Sequence, residues 1–421
     1  MVKPLHPIDE IAARIIDVDG EGVRLTHVLA DDSSADVQAA GAQLNGTQVF
    51  IDPVDAIVKA LAEPIDFPPL VAGIVPGDRV AIAVDEAVPQ IGPIVRGAVQ
   101  VLENAGIERQ DISIVTADAR TSQLCRDELS AGKTELQFIV HDPADDNSLC
   151  LVGTTKRGEP LLVNRAIFDA DLVLPIGCAR IGSESAYDTL FPRFSNAETL
   201  NEYRSPAQHE TIAVRNRKRN EVDEAGWMIG SPLTVQVVPG PGETVRRVLA
   251  GEPQAVACVS DEFCEQQWLL QSPQRVSLLV ATITGGPSAQ TWANVGRVLE
   301  AAEELVEEGG AIAICSNLEE QLGPSLGRLV GSPDLDRAIR KISHDHEADS
   351  WPAWHLARAL QRGPVFLLSQ LDEETVEDLG LAPVENIEQM ARLAGRHESF
   401  AIVNDSQHAV VLIEGEDGET E

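Results

Sequence analysis

Two adjacent carboxylates, Asp85 and Glu86, directly follow the apolar run Arg79-Val-Ala-Ile-Ala-Val84. A run of this length and composition is typical of a buried parallel strand. Open α/β sheets bind ligands beyond the carboxyl ends of their strands. Carboxylates at such an exit can bind a cation or serve as general acid and base. The alternative interpretation is a capped, solvated loop.

Two further strand exits supply hydroxyl groups and arginine. Asp118-Ala-Arg-Thr-Ser122 follows the strand expected at Ile112–Ala117, and Gly177-Cys-Ala-Arg-Ile-Gly-Ser-Glu-Ser185 follows the one expected at Asp171–Gly177. The second loop is rich in small residues and contains Arg180, so its backbone amides could hold an anion. It lacks both a Gly-x-Gly-x-x-Gly pattern and a lysine, which makes it a weak phosphate loop.

The second half of the chain contains one comparable turn. Thr284-Gly-Gly286 follows an apolar run and leads into an amphipathic helix that carries Asn294 and Arg297. This helix is expected to cover Gln290–Glu308 and to be closed by Gly309-Gly310. Glycines allow a ligand to approach the backbone closely. Residues three apart share a helix face. Arg297 is therefore an anion clamp if that face looks into a cleft between domains, and a surface arginine if it does not.

The histidines offer one cluster, His344-Asp-His346, with His355 nearby. A His-x-His pair can chelate a metal from a loop, but the polar surroundings favour a solvated loop. His141 ends a predicted strand, where an imidazole held by a neighbouring backbone group is favoured over a catalytic one. The sequence contains no Gly-x-Ser-x-Gly, Walker A or His-Glu-x-x-His motif.

Apolar runs alternate with helical patterns along most of the chain, which predicts an α/β fold with mainly parallel sheets flanked by helices. The alternation occurs twice, so we expect two domains, residues 1–268 and 269–421, with a cleft between them. The region Gln254–Gln271 is expected to be helical or mixed and to connect them. An irregular start with a short hairpin near Ile15–Leu25 and a disordered acidic tail at Glu414–Glu421 complete the prediction.

The composition excludes several classes of partner. The formal net charge of −35 opposes binding to nucleic acid and to anionic membranes. The only basic run, Arg215-Asn-Arg-Lys-Arg219, is expected to be a salt-bridged loop or helix start. No stretch resembles a signal peptide or reaches the roughly 20 apolar residues of a membrane span. The six cysteines form no Cys-x-x-Cys pair and are expected to be reduced and mostly buried, which points to the cytoplasm.

Several stretches in order resemble the nickel-dependent lactate racemase family, over about residues 54–381. They are Asp55–Leu70 with its Pro-Pro stop, Val80–Glu86, Leu151–Arg165, Asp169–Cys178, Asn220–Gly226 and Thr284-Gly-Gly-Pro287. The resemblance implies two α/β domains with the site between them. It also implies a nickel-pincer nucleotide tethered to a lysine, a histidine ligand to nickel, and further histidines that move protons during racemisation of 2-hydroxy acids.

The chain departs from that pattern at the reactive positions. Thr121 stands where the family has an acid/base histidine, and the segment from Ile181 to Phe194 has neither the histidine nor the tethering lysine. Arg204 falls near the position of the metal histidine. The resemblance places Glu86, Asn294 and Arg297 at cofactor contacts, and Thr121, Arg180 and Arg204 around the substrate.

Three hypotheses follow for the function. The first is a divergent family member that binds a small anionic, 2-hydroxy-acid-like ligand, has lost the tethered nickel chemistry and uses no metal ligand of its own. The second is an active 2-hydroxy-acid racemase or epimerase with relocated ligands, such as His141 or the pair His344 and His346. The third is a non-catalytic scaffold. The sequence defines neither catalytic residues nor the oligomeric state.

Overall fold

The computed structural model describes residues 51–129, 136–182, 185, 187–204 and 212–414. These residues form two compact units. The first comprises the described parts of Val49–Tyr203 and Gln208–Gln267, and the second comprises the described part of Trp268–Glu421 together with Arg204. The expected N-terminal hairpin lies outside the described residues, as does almost all of the expected acidic tail.

The first unit is built on a twisted sheet with the strand order β3-β2-β1-β6-β7-β8, in which every described pairing is parallel except β7 with β8. A separate antiparallel hairpin pairs β4 with β5. The strands are β1 (Val80–Val84), β2 (Ile112–Thr116), β3 (Gln137–Val140), β4 (Leu149–Thr154), β5 (Pro160–Asn164), β6 (Leu172–Cys178), β7 (Thr234–Pro239) and β8 (Val245–Gly251). The helices are α1 (Pro53–Ala62), α2 (Ile91–Asn104), α3 (Ala119–Leu129), α4 (Arg165–Phe168), α5 (Ala197–Arg204), α6 (Ile212–Ile229) and α7 (Pro253–Trp268).

The second unit has a parallel sheet with the order β13-β12-β11-β10-β14 and a small parallel pair, β15 with β9. Its strands are β9 (Leu269–Ser272), β10 (Val276–Thr282), β11 (Val306–Cys315), β12 (Val365–Leu368), β13 (Ala382–Pro383), β14 (Phe400–Val403) and β15 (Val410–Ile413). Its helices are α8 (Trp292–Leu305), α9 (Leu335–Ile342), α10 (Ser350–Arg362), α11 (Glu373–Asp378) and α12 (Ile387–Ala394).

Local signals in the sequence explain where these elements begin and how they pack. The Asp52 carboxylate accepts hydrogen bonds from the amides of Val54 and Asp55, which caps α1 ahead of Pro53. All five residues of β1 are buried, because helices cover both faces of this parallel sheet. The α/β class with mainly parallel sheets is confirmed.

Strand order fixes where a ligand belongs in each sheet. In the first sheet the chain runs from β1 to β2 and β3 on one side and returns to β6 on the other, so the order reverses between β1 and β6. The second sheet reverses in the same way between β10 and β14. The crevice at the carboxyl ends beside such a reversal is where doubly wound sheets bind ligands.

The region Gln254–Gln271, expected to be helical or mixed, is the helix α7 followed by β9. Two other sequence expectations were wrong in detail. The glycines expected to close α8 lie inside β11, which already begins at Val306. The helix α3 was not predicted, because Arg120, Thr121 and Ser122 were assigned to a strand exit. No helix in the described part of the chain is long and apolar enough to cross a membrane.

Candidate ligand site at the carboxyl edge of the first sheet

Asp85 is a buried carboxylate at the point where the first sheet reverses. It directly follows β1 and is only 7% exposed. Its backbone amide donates to the carbonyl of Ile176 in the neighbouring strand β6, at 3.0 Å. Its side-chain oxygens accept from the amides of Ala87, at 3.0 Å, and Cys178, at 3.4 Å. Asp85 therefore joins the ends of the two strands that flank the crevice.

Arg193 supplies the countercharge from a loop between β6 and α5. Its Nη2 lies 3.3 Å from Oδ1 of Asp85, and its Nη1 donates to Oε2 of Glu86. Nε of Arg193 is buried and has no hydrogen-bond partner in the described part of the chain. One guanidinium thus holds both acidic residues of the strand exit.

The charges set the protonation states at this edge. Burial alone would raise the pKa of Asp85, but attraction to Arg193 and then to Arg180, with the two amide hydrogen bonds, lowers it below the ordinary value. Burial works against the charge of Arg193, yet Asp85 and Glu86 raise its pKa further above the usual range. Both groups are therefore charged at neutral pH.

Arg180 is the second cation of this edge. It lies two residues beyond β6, and its side chain is partly buried. It attracts Asp85 electrostatically, but no hydrogen bond or ion pair to its guanidinium occurs within the described residues. The following loop is anchored to α7, because the amide of Gly182 donates to the Asp261 carboxylate at 3.3 Å. With respect to the described residues, Arg180 therefore has uncommitted N–H donors beside the crevice.

The other two residues predicted to contact the substrate are Thr121 and Arg204. Thr121 is buried in the first turn of α3, and its amide donates to Asp118 Oδ1 at 2.8 Å. Since β2 pairs with β1 through Val84 and Thr116, this turn belongs to the same sheet edge. Arg204 is the exposed last residue of α5.

Asn294 and Arg297 belong to the second unit, on α8. They bond to each other, with Arg297 Nη1 donating to Asn294 Oδ1 at 2.5 Å, while Asn294 Nδ2 donates to the carbonyl of Ala289. Sequence reasoning missed Gln290. Its buried amide contacts the carbonyls of Ile283 and Gly285 and accepts from Ser316, which fixes the glycine turn at the end of β10.

His141 is a structural histidine. It is 5% exposed, its Nε2 lies 2.8 Å from the carbonyl of Ser195, and its Nδ1 lies 3.1 Å from Nδ2 of Asn164. Because Asn164 Oδ1 accepts from Ala166, its Nδ2 donates to His141, and Nε2–H donates to Ser195. The expectation of a histidine held by a backbone group is confirmed, and both ring nitrogens are occupied.

The cluster His344-Asp-His346 follows α9, and both imidazoles are exposed. The intervening Asp345 binds Arg328 and accepts from Ser325. His355 is buried and bonds to Glu303. Among the described residues no group of three or more His, Cys, Asp or Glu side chains could hold a metal ion.

Most of the thiols are inert by burial. Cys125, Cys178, Cys264 and Cys315 are buried, and no cysteine of the chain is in a disulfide. Burial raises the pKa of Cys264 to about 12, and nearby Cys178 and Asp261 also raise this pKa, whereas Arg180 lowers it.

The basic run, Arg215-Asn-Arg-Lys-Arg219, also behaves as expected, because Arg217 in α6 pairs with Glu202 and Glu221.

Comparisons with known proteins place this fold. Residues 34–186 match the family model of the lactate racemase N-terminal domain. The chain is 21% identical over 297 residues to the lactate racemase of Thermoanaerobacterium thermosaccharolyticum, covering 66% of this chain and 68% of the relative. It is 21% identical over 284 residues to that of Lactiplantibacillus plantarum, covering 63% and 66%.

This chain contains a lactate racemase N-terminal domain. Solved structures agree on the fold. The lactate racemase apoprotein from T. thermosaccharolyticum superimposes with a TM-score of 0.70 at 19% identity, covering 86% of this chain and 93% of that one. A protein from Thermotoga maritima gives a TM-score of 0.63 at 15% identity, covering 87% and 100%.

The residues at the first sheet edge do not fit a tethered nickel-pincer nucleotide. The segment from Ile181 to Phe194 contains no lysine for the tether and no histidine for the metal. The carboxylates of Asp85 and Glu86 are bound by Arg193, and both nitrogens of His141 are engaged. Nickel would lack the imidazole donor that the family pattern supplies.

Arg193 is a second residue that sequence reasoning missed. In the sequence, its segment from Ile181 to Phe194 is distinguished only by the absence of a histidine and a lysine. Its pairing with Glu86 spans 107 positions, so no local pattern signals it. The one signal in the sequence is an arginine in the segment after β6. If β6 pairs with β1, this segment lies beside the strand exit that carries Asp85 and Glu86.

Proposed function

We propose that this member of the lactate racemase family binds a small anionic ligand, of the 2-hydroxy-acid class, at the carboxyl edge of the first sheet without tethered nickel chemistry. The observation that carries the proposal is Arg180. It is a partly buried guanidinium beside the reversal of strand order, and none of its donors is engaged within the described residues.

The chemistry of arginine suits this ligand class. A guanidinium presents N–H donors in a fixed planar fork that matches a carboxylate. The charged Asp85 in the same crevice can accept a hydrogen bond from a ligand hydroxyl. A 2-hydroxy acid carries both groups on adjacent carbons, which supports this class over a simple inorganic anion.

Replacing Arg180 tests the proposal directly. We expect Arg180→Met to weaken binding of D-lactate and L-lactate about tenfold or more, since a hydrogen bond to a charged group contributes roughly 1.5–3 kcal/mol. Isothermal titration of the full chain measures the effect. The matched control is Arg79→Met, because Arg79 lies at the opposite end of β1, is 60% exposed and pairs only weakly with Asp171 at 3.6 Å. Equal losses in the two variants, or no binding to the unmodified chain, would refute the proposal.

The loss of nickel chemistry is tested by composition. After co-expression with the family's cofactor maturation enzymes, we expect the intact mass of the chain to match its sequence. We also expect nickel, measured by elemental analysis, far below one ion per chain. Incubation with D-lactate or L-lactate in deuterated water should then give no exchange of the α-proton. A covalent adduct with stoichiometric nickel, or α-proton exchange, would instead indicate an active racemase.

A further inference from the structure

We propose that Glu86 is an internal carboxylate that occupies the ligand position on Arg193, and that a ligand carboxylate binds there by displacing it. This inference rests on the proposed function and names the residue that limits affinity at the same site. The contact between Glu86 and Arg193 itself shows that this face of the guanidinium accepts a carboxylate.

The two acidic partners of Arg193 differ in how firmly they are held. Asp85 is 9% exposed in its side chain and accepts hydrogen bonds from two backbone amides. Glu86 is 49% exposed in its side chain, and within the described residues Arg193 is its only hydrogen-bonding partner. Glu86 can therefore swing into solvent at little cost, whereas Asp85 cannot.

Displacement exchanges one ion pair for another. Arg193 keeps its contact with Asp85, Glu86 regains hydration, and the ligand carboxylate takes the Nη1 position. An exposed ion pair is weak because solvent competes with it. Glu86 therefore lowers the affinity for a ligand carboxylate modestly and does not block the site. Arg180 acts on Asp85 from the same edge, so the arrangement suits a ligand carboxylate that contacts both Arg193 and Arg180.

The test removes the competing charge while keeping the shape of the side chain. We expect Glu86→Gln to bind L-lactate and acetate about fivefold more tightly than the unmodified full chain, by isothermal titration. The control is Asp188→Asn, which removes the same charge near Arg193 but from a carboxylate that accepts from the amide of Ser185 instead. We expect a smaller gain in this control.

The outcomes separate this inference from the proposed function. Tighter binding of acetate but no binding of lactate would support the role of Glu86 and contradict the 2-hydroxy-acid class. Lactate binding that depends on Arg180 but is unchanged or weaker in Glu86→Gln would overturn the role of Glu86 alone. Equal gains in Glu86→Gln and Asp188→Asn would also overturn it, because general electrostatics would then explain both. No acetate or lactate binding in any variant would overturn both ideas.

Discussion

Replacing Arg193 by methionine is expected to destabilise the first unit by about 3 kcal/mol at neutral pH. Removing one partner of a buried ion pair costs about 3–5 kcal/mol because the other charge stays buried and unpaired. We expect the lower end of this range, because the Arg193 side chain keeps 23% of its surface exposed. Hydrogen–deuterium exchange of the amides in β1 and β6 measures the loss locally, without assuming that both units unfold together.

In the same variant, the pH dependence of stability that Asp85 contributes should reverse. With Arg193 present the pKa of Asp85 is lowered, so its contribution to stability is present above the unfolded value of about 3.9 and is lost as the pH falls below it. Without Arg193, burial dominates and raises the pKa of Asp85. The Arg193→Met variant then regains stability as the pH falls through that raised pKa, because protonation removes the unpaired charge of Asp85. The stability difference between the two proteins should therefore be largest near pH 7 and should shrink toward pH 4.

Two control variants test the cause. Adding Asp85→Asn to Arg193→Met should restore most of the lost stability, because no charge is then left unpaired. Glu86→Gln alone should cost less than about 1 kcal/mol, as expected for an exposed pair. A double variant as unstable as Arg193→Met would contradict the assigned role of the buried carboxylate.

Replacing Gly251 by alanine is expected to cost about 3 kcal/mol or more. Gly251 ends β8 with φ of +151°, and a Cβ there would lie 2.1 Å from the carbonyl oxygen of Ile65 and 2.6 Å from its nitrogen. The chain after α1 is joined to this strand by two hydrogen bonds. Ile65 N–H donates to Ala250 at 2.8 Å, and Glu252 N–H donates to Ile65 at 2.9 Å. To relieve the overlap, the chain must move Ile65 away and break these two hydrogen bonds. Their loss adds to the cost of the strained backbone. The midpoint of thermal unfolding and exchange of the Ile65 amide report the effect.

Gly158 provides the matched control for backbone conformation. It has φ of +84° in the turn of the hairpin β4–β5, and a Cβ there would meet nothing within 4 Å. Gly158→Ala therefore carries only the cost of a left-handed backbone, about 1 kcal/mol. If both variants lost the same stability, steric overlap at Gly251 would not be the cause.

The elements that sequence predicted well are those whose signal is local. Apolar runs predicted β1, β2 and β6 to within one residue, because a strand buried on both faces must be apolar along its length. In contrast, the hairpin β4–β5 and the antiparallel β8 were missed, because their mixed polar sequences gain stability only from the partner strand.

By itself, the sequence determined the α/β class, the resemblance to lactate racemases and the fact that the histidine and lysine positions of that family are changed, since each is a matter of residue type and order. Only the tertiary structure decided which contacts the replacing residues make. It brought Arg193 to Asp85 and Glu86 across more than 100 positions, left Arg180 uncommitted within the described residues, and enclosed His141 between Ser195 and Asn164. These outcomes depend on which strands are neighbours, and strand order arises from the packing of the whole sheet, which no local pattern contains.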